Sequence, residues 1–229
     1  MRRDVTTQLD QLKSKLNGYV ALLMYRYANL CIDANPIALL SITVKVEGEQ
    51  RHLEDVAKVA IHEKYHFNIF PIYEDDFFAI GRAIGEAHPE FIQETKTMEG
   101  FEDDDPAGKY IYCTMPVVNK DYHDALLKAV DILYEECKDK MEVACKTCLT
   151  KMAILMDGAS ENDYNQLKDY CGEIENLFAD LRDKMHDAKK QEVEDAYKEY
   201  QKRQEEKKAE EQEKQQEQGN PLQMKFGEN

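Results

Sequence analysis

Apolar residues recur in steps of three and four over three long stretches of the chain. Leu9, Leu12, Leu16, Tyr19, Leu23, Tyr27 and Leu30 form the first stripe. This near-heptad pattern predicts a helix over about residues 4–31, ended by Asn35-Pro36 because the residue before proline avoids the helical region. Leu126, Val130, Leu133, Cys137, Met141, Ala144, Cys148 and Met152 form the second, with Asn119 as its expected N-cap. The third follows the Asp157-Gly158 turn, with Ser160 as N-cap and Leu167, Tyr170, Ile174, Leu177, Leu181 and Ala188 on its stripe. Three such helices bury their stripes only by packing together. Leu12, Leu23, Leu126, Val130, Met141, Ile174 and Leu181 are the expected core of the bundle.

Residues 35–117 have a different rhythm. SITVKVEG alternates like a half-buried strand, and VAKVAIHEKYHFNIFPIY reads as two strands joined by a turn near Lys64. EDDFFAIGRAIGEAHPEF predicts a helix with an acidic first turn, Phe77, Ile80 and Ile84 on one face, and a stop at Pro89. Residues 95–109 read as a polar loop and YIYCTM as a last strand. The expected fold is therefore α+β. Residues 1–34 and 118–200 form a three-helix bundle, and 35–117 form a small inserted α/β domain. Residues 201–229 are a charged C-terminal extension.

In that extension, residues 201–218 are Gln, Glu and Lys with one Ala and one Arg. Mixed charges at i,i+4 favour a solvated helix, but no apolar surface is available to bury. The tip carries Leu222, Met224 and Phe226, which are expected to anchor to a partner.

A formal charge of −16 repels phosphate backbones, so free nucleic acid is not an expected partner. No apolar run approaches the roughly 18 residues of a membrane span. The N-terminus, with Asp4 and Asp10, reads as the first structural helix and not as a transit peptide. The six cysteines lie mostly on helical stripes, as small buried thiols do in a reducing compartment.

Two short motifs invite chemistry. His62-Glu63-Lys64-Tyr65-His66 matches the HExxH of zinc proteases, which needs both histidines on one helical face. Its β-branched and aromatic flanks predict a strand turn instead. Cys145-Lys146-Thr147-Cys148 is a CxxC, but it lies deep inside a helix, away from the helix N-terminus that would lower a thiol pKa. Asp103, Asp104 and Asp105 read as a solvated charge run. No catalytic residues, metal ligands or cofactors are assigned.

The order of elements, with NPIALL after the first helix, EDDFFAIGRAI in the insert, an MP-strand exit into LLKAV and DGASENDYNQLKDY before the third helix, resembles the ribosome recycling factor family over roughly residues 5–195. The resemblance implies a bundle with the outline of a tRNA and an insert that swings on two hinges. It also implies binding to ribosomal RNA of the large subunit and splitting of post-termination ribosomes with elongation factor G. The RNA-contact positions it implies fall on Lys138, Glu142, Cys145 and Lys146 in the second helix and near Leu30 and Asp33 at the end of the first. Glu142 and Asp33 reverse the charge expected there, which removes phosphate contacts.

Two functional expectations follow. One is a repurposed, non-enzymatic accessory subunit of a large mitochondrial assembly, a respiratory or ATP synthase complex or the mitoribosome, on the matrix side and with protein subunits as partners. The other is a working mitochondrial recycling factor that acts on the ribosome with elongation factor G.

Overall fold

The structure is a computed structural model that describes residues 3–39 and 42–218. Helix α1 (Arg3–Ala28) leads through a short 3-10 turn into the insert, whose last strand ends at Thr114. Helices α4 (Lys120–Leu155) and α5 (Glu161–Gln218) then complete the bundle. The expected α+β architecture holds. Helix α1 is shorter than Asn35-Pro36 implied: it stops at Ala28, and residues 29–35 form an irregular junction.

The insert holds two sheets. Strands β1 (Thr43–Val46) and β2 (Glu49–His52) form a hairpin, with Glu47 and Gly48 both at positive φ in its two-residue turn. A single helical turn, α2 (Leu53–Val56), leads to strand β3 (Ala57–Glu63). Strands β4 (His66–Pro71), β5 (Ile92–Thr97) and β6 (Lys109–Thr114) join β3 in an antiparallel sheet of order β3-β4-β6-β5. Helix α3 (Phe77–Ala87) connects β4 to β5 and buries Ile80, Ala83 and Ile84. Val44, Leu53, Phe67, Ile69 and Met115 complete this core. The expected loop over 95–109 gives way to β5 as far as Thr97, because Thr95, Lys96 and Thr97 pair with Ile111, Tyr110 and Lys109.

Asn119 caps α4 by accepting from the Tyr122 amide, and Ser160 accepts from the Asp163 amide at the start of α5. The α1 and α4 stripes bury as expected, with Leu12, Leu16, Leu23, Val130, Met141 and Met152 inside. Leu126 joins Ile32, Val118, Val193 and Ala196 in a second cluster at the insert end.

The phase of α5 differs from expectation. Leu167 and Ile174 are buried, but Tyr170, Leu177, Leu181 and Ala188 lie on the surface. The inward row is Leu167, Cys171, Ile174, Phe178, Arg182, Met185, Lys189, Val193 and Ala196. Two of its places are held by Arg182 and Lys189, so an apolar count favours the neighbouring row. Arg182 is tolerated inside because Asp183 Oδ1 lies 2.7 Å from its Nη2 and the Tyr134 ring lies under its guanidinium. Lys189 keeps Glu192 at 3.1 Å.

Beyond the bundle α5 continues as a charged helix with almost every side chain exposed from Gln201 to Lys214. Leu222, Met224 and Phe226 lie outside the described residues.

Candidate functional site

Three surfaces concentrate chemistry. The first is the outer face of α4, where Lys138, Glu142 and Lys146 succeed one another at four-residue steps. Both lysines are engaged by their own helix: Lys138 Nζ lies 3.6 Å from Glu135 and Lys146 Nζ lies 3.2 Å from Glu142. Arg26 of α1 reaches Glu136 at 2.5 Å, and that hydrogen bond holds the Glu136 carboxyl below the usual range. Residues 135–146 contain four acids and three lysines, so the face carries no net positive field.

Cys145 is corrected: it turns inward, is buried, and is not a surface contact position. Asp33 is exposed but belongs to a different place. The neighbouring Cys31 carbonyl accepts from Tyr122 Oη at 3.1 Å, which sets this junction at the start of α4. Sixteen residues of helix rise separate Tyr122 from Lys138, about 24 Å. The tertiary structure therefore joins Lys138, Glu142 and Lys146 and leaves Asp33 apart.

The second surface is the seam between α1 and α5. Lys13 donates to Tyr170 Oη at 3.1 Å, and Met24 faces Met185 and Ala188 across a cleft of about 250 Å³. Leu177 and Leu181 follow Tyr170 by seven and eleven residues and so share its face. Met24 and Leu177 are each 61% exposed and Leu181 44%. Sequence reading missed this strip because it assigned Tyr170, Leu177 and Leu181 to the core.

The third is the joint between bundle and insert. Cys31, His88 and Glu90 present one ligand atom each, all within 4.8 Å of one another. Their sequence spacing carries no metal signature, and only folding brings them together.

His62 and His66 sit on the two strands of the β3–β4 hairpin, not on a helical face. His66 Nδ1 lies 3.4 Å from Glu63, and its ring stacks on Tyr112. The CxxC is core: Cys145 and Cys148 are both buried, and burial pushes the Cys145 thiol up to about 12. A thiol held protonated in this way is a poor nucleophile. Among the described residues all six cysteines are free, and no helix is long and apolar enough to cross a membrane.

A three-helix bundle interrupted after its first helix by an insert built on an antiparallel sheet defines the class of fold. The chain belongs to the ribosome recycling factor family, whose family model, described as "Ribosome recycling factor", matches residues 29–225. A solution structure of a ribosome recycling factor superposes with a TM-score of 0.68 at 15% identity, covering 85% of this chain and all of that one. A second match has a TM-score of 0.56 at 19% identity and covers 82% and 98%. It comes from models of the T. thermophilus ribosome recycling factor and the E. coli elongation factor G bound to the E. coli post-termination complex. No curated protein matches the chain.

Proposed function

We propose that this protein is a non-enzymatic recycling-factor-fold subunit that works through protein contacts in a large mitochondrial assembly. One observation carries the reading: the α4 face is closed by its own acids, while the α1–α5 seam leaves Met24, Leu177 and Leu181 open. Phosphate binding needs free cations, and an acidic chain repels RNA. Exposed apolar side chains gathered along one seam have the character of a protein-binding surface. The C-terminal extension adds Leu222, Met224 and Phe226 as docking anchors in this proposal. Placement in the mitochondrial matrix, in a respiratory or ATP synthase complex or the mitoribosome, rests on the family resemblance.

A second reading, a working recycling factor that acts with elongation factor G, is favoured by the family match across nearly the whole chain. Sedimentation separates the two. Under the first reading, Leu177→Glu with Leu181→Glu folds normally but leaves the native complex. Under the second, the wild-type chain co-sediments with large ribosomal subunits and its affinity falls steeply with salt.

A further inference from the structure

The joint between bundle and insert holds a cluster that neither reading uses. The Cys31 backbone is held by α4, because its carbonyl accepts from Tyr122 Oη. Its side chain faces the other way, into the core of the insert. There Cys31 Sγ lies 4.0 Å from His88 Nδ1, and Glu90 Oε1 lies 3.0 Å from the same nitrogen. Cys31 and His88 are buried, and Glu90 is partly open to solvent.

The other ring nitrogen is a donor. His88 Nε2 lies 3.1 Å from the Ala38 carbonyl oxygen, which can only accept, so Nε2 carries the proton. The His88 ring is also clamped by stacking on Phe91, with centroids 4.6 Å apart. With Nδ1 unprotonated, its lone pair points at a carboxylate oxygen and a sulfur. The three potential ligand atoms lie within 4.8 Å of one another, close enough for one cation to bind all three. An imidazole that donates one N–H to a backbone carbonyl and offers the other nitrogen is the usual state of a metal-ligating histidine.

We propose that Cys31, His88 and Glu90 form a zinc site that staples the exit of α1 to the inserted domain. A tetrahedral zinc with sulfur, nitrogen and oxygen ligands separates those atoms by about 3.4–3.6 Å. The observed 3.0 and 4.0 Å lie on either side of that spacing and the Cys31–Glu90 pair lies within 4.8 Å, so side-chain rotations of about 1 Å bring the three atoms onto one ion. The Cys31 thiol gives up its proton on binding. Thiolate and carboxylate then neutralise the divalent ion, which suits a half-buried place. Water takes the fourth position on the open side by Glu90. Without metal, burial and the nearby Glu90 raise the Cys31 pKa to about 12, so the site rests as a protonated thiol. This site is separate from the His62–His66 hairpin and from the α4 face.

The test uses the full chain, stripped with chelator and reloaded with Zn²⁺ or with Co²⁺ as a spectroscopic probe. One metal per chain is retained through gel filtration, and the cobalt form shows a thiolate-to-cobalt charge-transfer band. Cys31→Ser and His88→Gln each abolish retention and the band, while His62→Ala keeps both. Glu90→Gln, at a partly exposed position that folding tolerates, weakens zinc binding at least about tenfold. Any one of four results overturns the proposal: no metal retained, which leaves a His88–Glu90 ion pair only; retention that survives Cys31→Ser or His88→Gln; zinc affinity unchanged in Glu90→Gln; or retention lost in His62→Ala.

Discussion

Lys64, at the turn of the β3–β4 hairpin, forms an ion pair with Glu199 of α5, two groups 135 residues apart. Arg203 pairs with Glu199 at 2.6 Å, and its guanidinium lies 5.6 Å from the Tyr65 ring centre. The part of α5 beyond the bundle core thus touches the insert and bears on its orientation. The hydrogen bond to Glu199 raises the Lys64 pKa, and the same bond lowers that of Glu199.

The lowered Glu199 pKa means its contribution is present above the ordinary carboxylate range and is lost as pH falls through the folded value. The raised Lys64 pKa means its contribution is present below the ordinary lysine range and is lost as pH rises through the folded value. Glu199→Gln should therefore loosen the insert at neutral pH, with little effect in strong acid. The pair is partly exposed, so the stability change should stay within about 1 kcal/mol. Inter-domain distance distributions from spin labels at Glu54 and Lys168 would broaden in the variant; unchanged distributions count against the tie.

The inward row of α5 gives a stability contrast. Leu126→Ala should cost about 2–5 kcal/mol, because Leu126 is buried against Val193 and Ala196. Leu181→Ala should stay within about 0.5 kcal/mol, as expected for a surface change. Denaturant midpoints of the two variants test this directly. Equal losses would mean that Leu181 packs and that the phase is wrong.

On the α4 face, Glu142→Arg removes the partner of Lys146 and puts a second cation beside it. Affinity for ribosomal RNA should rise, with a steeper dependence of binding on salt. A titration of wild type and variant at several salt concentrations measures it. An unchanged slope would show that this face is no longer oriented toward RNA.

Deleting residues 205–229 removes only exposed side chains among those described, Glu205 to Lys214. The melting temperature should hardly move, while assembly into the native complex should fall. Normal assembly of the shortened chain would remove Leu222, Met224 and Phe226 from the docking proposal.

Much of this protein was legible in its sequence for a physical reason. The stripes of α1 and α4 are made of Leu, Val, Tyr, Cys and Met at helical spacing, so burial and period coincide. Asn119 and Ser160 announce helix starts because their side-chain oxygens suit free amides there. The His62–His66 hairpin was readable because β-branched and aromatic flanks favour extended chain. Tertiary structure alone decided the rest. The β5 strand is polar at most positions and exists through its pairing with β6. The rotation of α5 depends on Arg182 and Lys189 finding Asp183, Tyr134 and Glu192, a satisfaction that hydropathy does not record. It is this rotation that moves Leu177 and Leu181 from an expected core to an open seam. The meeting of Cys31 with His88, 57 residues away, likewise depends on how the insert folds back on the end of α1, a long-range contact without any local signal.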